Sequence, residues 1–227
     1  MSAAVLLADV SKSYPSPTPV NALVDISLRI ETGETVAITG PSGSGKSTML
    51  NILGTLEVPT TGSVAIDGID ASTLTDDALS ALRANCIGFV FQQFHLLRHL
   101  SILDNVATGL LYRGIAGKER RSAARDALER VGLAERSGHH PGQLSGGEQQ
   151  RAAIARAIVG NPSLVLADEP TGNLDSVSGE SVIELLRGLA GPSTTVVVIT
   201  HDTRVAASMH RRVVLSDGRI VDDSGAR

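Results

Sequence analysis

The chain has 227 residues, a formal net charge of −4, 42% hydrophobic residues and 19% charged residues. That is enough apolar material for a buried core and too little charge for a disordered polyelectrolyte, and no block of basic residues marks a nucleic-acid partner. Cys86 is the one cysteine, which excludes an internal disulfide, fits a reducing compartment and reads as a small buried hydrophobe. No apolar run is long enough to span a bilayer and no basic flank opens the chain, so the expectation is a chain without a signal peptide or membrane span.

In chain order, residues 5–9 and 26–30 read as short strands, with Tyr14 and the prolines that follow it forming a loop between them. Residues 34–39 read as a buried strand. It runs into Gly40, Pro41, Ser42, Gly43, Ser44, Gly45, Lys46, Ser47 and Thr48, which fit the phosphate-loop pattern G-x-x-x-x-G-K-[ST] at every fixed position. Glycines let successive backbone N–H groups face one anion. Lys46 can reach the β and γ phosphates, and the Ser47 hydroxyl can ligate Mg²⁺. Residues 49–53 read as the helix that follows, whose N-terminus places a favourable dipole on the phosphates. The pattern in this context specifies a nucleoside triphosphate site.

Residues 63–67 form a further strand closed by an Asp67-Gly68 turn, and residues 87–91 another. From about residue 93 to 159 the character becomes helical. Ala124, Leu128 and Val131 have the spacing of one apolar face. Within this section Leu144-Ser145-Gly146-Gly147-Glu148 precedes a helix expected over residues 148–159. Ser145 and Glu148 have the spacing of a capping box, while the glycines and the helix N-terminus can hold an anion; both readings are compatible. Residues 163–167 read as a buried strand ending in Asp168 and Glu169. Groups at the carboxyl ends of strands gather at ligand sites in open α/β sheets. Asp168 is placed to hold Mg²⁺ and Glu169 to act as general base. Residues 178–189 read as a helix, 194–200 as a β-branched strand, and 213–215 with 219–221 as a hairpin around Asp217-Gly218. Strands alternating with helices imply an α/β fold with a largely parallel sheet.

Taken together, these motifs resemble the ATP-binding subunits of the ABC transporter family over nearly the whole chain. Leu144-Ser-Gly-Gly-Glu-Gln149 matches the family signature. The resemblance adds roles for single residues. Tyr14 matches the aromatic that stacks on adenine, and Gln92 the glutamine that senses Mg²⁺ and the γ-phosphate. Asp175 matches the loop that crosses to the partner subunit, although an N-cap of the following helix accounts for it equally. His201 matches the histidine that contacts the γ-phosphate. Within the family, residues 88–94 and 169–175 resemble the ATPases of macrolide export, lipoprotein release and cell division. Arg98 and the stretch 139–142 depart from that group's pattern, and His139 and His140 read as solvated rather than metal-bound.

The resemblance implies a phosphate-loop NTPase core, about residues 1–92 and 160–227, with a mostly parallel sheet and a small antiparallel β subdomain. A helical lobe over about residues 93–159 is inserted into it. It further implies a homodimer formed on ATP binding, with two Mg-ATP held between residues 40–48 of one copy and Ser145, Gly146 and Gly147 of the other. A separate membrane permease, with the chain peripheral at the cytoplasmic face, completes the expectation. The alternative is an ATPase that drives a regulatory membrane complex and transports nothing.

Overall fold

Alternate residues of the central strands belong to two different cores, and this split organises the molecule. The computed structural model describes residues 3–15 and 17–225, so Ser16 of the expected loop lies outside the described residues. The elements run β1 (Ala3–Tyr14), β2 (Val20–Glu31), β3 (Thr35–Thr39), α1 (Lys46–Leu53), β4 (Thr61–Ile66), β5 (Ile69–Asp70), α2 (Asp76–Cys86) and β6 (Ile87–Val90). They continue with α3 (Ile102–Ala107), α4 (Gly117–Arg130), α5 (Gly146–Ile158), β7 (Leu164–Asp168), α6 (Ser176–Leu189), β8 (Thr195–Ile199), α7 (Thr203–Ser208), β9 (Arg211–Ser216) and β10 (Arg219–Asp223).

One sheet has the order β10-β9-β3-β8-β7-β6. Its pairings are parallel except for the terminal β9–β10 hairpin. Val36 and Ile38 of β3, Leu164 and Leu166 of β7, and Val197 and Ile199 of β8 pack into one core with α1, α2 and the second sheet. Ala37, Val165, Ala167, Val196 and Val198 pack into the other core, with α3 to α6. A sheet covered on both faces needs apolar residues at successive positions, which is why these strands read as continuous apolar runs.

The second sheet is antiparallel, in the order β2-β1-β4-β5. β1 is longer than residues 5–9. It runs on to Tyr14 through register shifts, and the backbone at Asp9 has φ 50°. Helices α3, α4 and α5 pack on one another.

Periodicity does not place three helices individually: α2, α7, and α3, which falls inside the helical section expected over about residues 93–159. Each is short or has a sparse apolar stripe, and each is started by a side-chain cap: Thr75, Ser101 and Asp202 accept from backbone N–H groups of the first turn. A cap of this kind is the local signal that marks a helix whose periodicity is weak. Two expected helices begin two residues earlier than their apolar pattern, at Gly146 and Ser176. The expected strand over residues 87–91 stops at Val90.

Candidate nucleotide site

The parallel register aligns the carboxyl ends of the central strands. Ile38 pairs with Ile199, Asp168 with Ile199, and Val90 with Ala167. The segments that leave these ends therefore emerge along one edge, and they carry Gly40 to Thr48, Asp168 and Glu169, His201, and Gln92.

The phosphate loop is shaped by its glycines. Gly45 (φ 101°) precedes α1, and a Cβ there would sit 2.3 Å from the Ala22 carbonyl oxygen. At Gly40 a Cβ would sit 2.2 Å from the Leu215 carbonyl oxygen. Helix α1 has no side-chain N-cap and no acid in its first turn. Its leading N–H groups are thus uncommitted to side chains, which is the donor set an anion requires. The Lys46 ammonium folds over the loop and donates to the Gly40 and Pro41 carbonyls, both at 2.8 Å. The Ser44 hydroxyl is buried with no partner. The loop is braced from behind: Gly218 N–H donates to the Ser44 carbonyl and Val24 N–H to the Gly218 carbonyl.

Asp168 is half-buried at the end of β7. Its carboxyl is held above the usual range by burial first and by the neighbouring Glu169 charge second, with Lys46 opposing both. Glu169 has a left-handed backbone (φ 43°), uncommon for a residue with a side chain. Its carboxylate is held at both oxygens. Oε1 accepts from the His201 backbone N–H at 3.0 Å and lies 2.6 Å from His201 Nδ1; Oε2 accepts from the Thr200 hydroxyl at 3.0 Å. His201 and Gly40 line one cavity of about 370 Å³ with Thr39 and Arg212. Asp168, Glu169, His201 and the phosphate loop thus converge.

Tyr14 reaches the far end of the same loop. Its hydroxyl donates to Glu57 Oε2 at 2.7 Å and lies 3.4 Å from Thr48 Oγ1. Lys12 sits 5.2 Å from the ring centroid and pairs with Glu57 at 3.2 Å. Burial raises the Tyr14 phenol above its ordinary value, and the Tyr14 bond lowers Glu57. The Gln92 amide donates to Asn173 Oδ1 at 3.2 Å, and the Asn173 amide returns a bond to the Gln92 carbonyl at 3.1 Å. Gln92 is therefore tied to the segment that carries Asp175. Asp175 itself caps α6, accepting from Val177 and Ser178 N–H at 3.1 and 3.0 Å, and the Ser178 bond holds its carboxyl below the usual range.

Ser145 and Glu148 form the reciprocal capping box: Glu148 N–H donates to Ser145 Oγ at 3.3 Å, and Ser145 N–H to Glu148 Oε2 at 2.9 Å. Gly147 packs against Ser178, where a Cβ would approach within 2.9 Å. Among the described residues, no hydrogen bond or ion pair links residues 145–147 to residues 40–48. The two anion-type turns of this chain are separate.

Thr200, Asn173, Gln150 and Arg156 escaped the sequence reading. Gln150 is buried on α5 and donates to the Phe91 and Pro170 carbonyls, while Arg156 donates to the Phe94 and His95 carbonyls. The legible signal for Gln150 is a polar residue on the buried stripe of Gly147, Ile154 and Ile158.

Residues 23–172 match the family model described as "ABC transporter". The chain is 51% identical over 220 residues to the macrolide export ATP-binding/permease protein MacB 1/2 of Paracoccus denitrificans, covering 96% of this chain and 33% of that protein. It is 50% identical over 228 residues to MacB of Salmonella choleraesuis, covering 100% of this chain and 35% of that protein. The chain thus spans about a third of the length of these relatives. Among solved structures, a dimeric post-hydrolysis state of the ATP-binding cassette MJ0796 bound to ADP and Pi superposes with a TM-score of 0.87. The identity is 47%, over 98% of this chain and 99% of that one.

Proposed function

Because this chain belongs to the ABC transporter family of ATP-hydrolysing cassettes, we propose that it drives an export permease by hydrolysing two Mg-ATP between head-to-tail copies. The observation that carries this reading is the convergence at one sheet edge of the uncapped, glycine-shaped loop with Asp168, Glu169 and His201. Residues 40–48 present backbone N–H groups and Lys46 to the phosphates. Tyr14 stacks on the adenine. The donor set fits a hydrated divalent cation: Ser47 Oγ, a half-buried Asp168 carboxylate and the Gln92 amide would hold Mg²⁺, which supplies charge neutralisation on the phosphate oxygens.

Glu169 takes the proton of the attacking water, and Lys46 and His201 stabilise charge on the transferred phosphoryl group. Ser145, Gly146 and Gly147 complete the partner's site, and Asp175 stands on the segment that crosses to it. The dimeric state of the MJ0796 cassette with ADP and Pi supports an assembly of two copies.

The helical lobe, about residues 93–159, is the part that meets the permease. A groove lined by Phe91, His95, Tyr112, Arg113 and Arg156 supports the placement, since it adjoins the Gln92 segment and Tyr112 is 91% exposed. No helix among the described residues is long and apolar enough to cross a membrane; membership of the family and the permease named in the relatives support a peripheral unit at the cytoplasmic face. The names of the relatives make a macrolide the first substrate to try.

The test is reconstitution of the chain with its co-purified membrane protein in vesicles. ATP-dependent macrolide movement that disappears in Glu169→Gln supports the reading. ATP hydrolysis without movement of any substrate favours the regulatory alternative.

A further inference from the structure

Gln150 joins two strand-exit loops through a single side chain. Its Nε2 donates to the Phe91 carbonyl at 3.2 Å and to the Pro170 carbonyl at 2.7 Å. Phe91 immediately precedes Gln92, and Pro170 immediately follows Glu169. The other amide atom, Oε1, is buried and has no partner. The two carbonyls set the amide orientation, because a flipped amide would place Oε1 against two acceptors. An orphan buried acceptor is unfavourable, and an apolar side chain would avoid it. A polar residue kept on an otherwise apolar stripe at such a cost points to a task beyond packing.

The backbone it holds is itself strained. Glu169 sits at φ 43°, a conformation that persists only where neighbours over-determine it. Three bonds do so: Glu169 N–H to the Ile199 carbonyl at 2.9 Å, Gly172 N–H to the Glu169 carbonyl at 3.0 Å, and Gln150 to Pro170. Gln150 supplies the one that comes from α5, the helix that begins at the Ser145 cap. Further along α5, Arg156 grips the Phe94 and His95 carbonyls at 2.9 and 2.6 Å.

We propose that Gln150 is a positioning residue for ATP hydrolysis, locking the Gln92 and Glu169 loops to each other and to the helix that starts at Ser145. The inference rests on the roles given above to Glu169 and Gln92. Without the two donated bonds, Glu169 loses its aim while residues 40–48, which Gln150 does not touch, still bind nucleotide. The signature of this role is a fall in kcat at a nearly constant KM.

The experiment compares Gln150→Met, which fills the volume without a donor, Gln150→Glu and Glu169→Gln in the purified chain. Steady-state ATPase, ATP affinity and thermal melting are measured for each. Gln150→Met should lower kcat at least about tenfold with KM and ATP affinity within about threefold. Gln150→Glu should be impaired more at neutral pH, where its carboxylate faces two carbonyls. It should regain part of the loss as pH falls, because a protonated carboxyl recovers one donor.

A kcat within about twofold of the parent in both variants overturns the proposal. So does a parallel loss of kcat, ATP affinity and melting temperature, which would make Gln150 only a packing residue. Should both fail to fold, Gln150→Asn, which keeps the donors on a shorter arm, decides by the same kcat-against-KM criterion. Near-normal hydrolysis by Glu169→Gln sinks the underlying reading; inactivity of Glu169→Gln beside normal Gln150 variants sinks this proposal alone.

Discussion

The phosphate loop and the signature turn are both glycine-bearing entries into a helix, yet they are built in opposite ways. At α1 no side chain caps the N-terminus, Gly40, Gly43 and Gly45 have positive φ, and Lys46 lies across the loop. At α5 the Ser145–Glu148 box already satisfies two backbone donors, and the Glu148 carboxylate brings a negative charge that Arg136 partners at 3.3 Å. Under the proposed function the first turn holds the phosphates by itself, because its leading backbone donors are not taken by any side-chain cap. The second offers an exposed serine beside a half-buried Gly146 and a buried Gly147 on an already satisfied helix start, and under the proposed function it becomes a nucleotide contact only against another copy. A dipole at a helix N-terminus is therefore insufficient to define a site; what matters is whether its donors are already taken.

The largest expected effect breaks the first turn. Lys46→Ala should weaken ATP binding by the monomer about a hundredfold, the scale of a lost charge-assisted contact. Retention of parental affinity in titration calorimetry would remove Lys46 from the phosphate contacts. An effect of similar size breaks the second turn. Ser145→Arg should leave monomer ATP affinity within about threefold yet lower turnover at least about a hundredfold by blocking closure. Intact ATPase in this variant would defeat the shared-site arrangement.

A smaller effect sharpens the electrostatic side of the first turn. Because the Asp168 carboxyl is raised, the folded chain binds this proton more tightly than the unfolded chain does. Stability contributed here therefore falls as pH rises from the ordinary aspartate range through the raised folded value. Asp168→Asn removes that slope. Above the window it should melt higher without nucleotide, by about 2–4 °C for each kcal/mol relieved, while losing Mg²⁺-dependent hydrolysis. A lower melting temperature at neutral pH would contradict the assignment of burial as the cause.

The smallest effect belongs to the cap of the second turn. Glu148→Ala should cost about 1 kcal/mol in urea unfolding at neutral pH. The backbone bond from Ser145 holds Glu148 below the usual range. Its contribution is thus present above the ordinary glutamate range and is lost as pH falls through the depressed folded value. The difference between parent and variant should accordingly shrink in acid, and a pH-independent difference would argue against the cap.

The sequence by itself determined the alternation of strands and helices, the phosphate loop, the carboxylate pair after a buried strand, and the family. These are local patterns, legible because fixed residue types at fixed spacing carry backbone geometry and chemistry with them. Even the double reading of Ser145 was available, since a capping box is a four-residue feature. The weakly periodic helices α2, α3 and α7 were not legible from apolar spacing, because their caps rather than their stripes define them.

Only the tertiary structure decided which side chains meet. The pairing of Glu169 with His201, separated by 32 residues, follows from the parallel register of β7 and β8. The Tyr14 bond to Glu57 depends on β1 running past its apolar pattern. Gln150 is a polar residue in a helix until α5 packs against the ends of β6 and β7, where its amide finds two carbonyls from loops 79 residues apart in the chain (Phe91 and Pro170). Spacing along a chain encodes the geometry of one turn of backbone. Contacts between the ends of different strands depend on sheet order and register, which are settled only when both cores close.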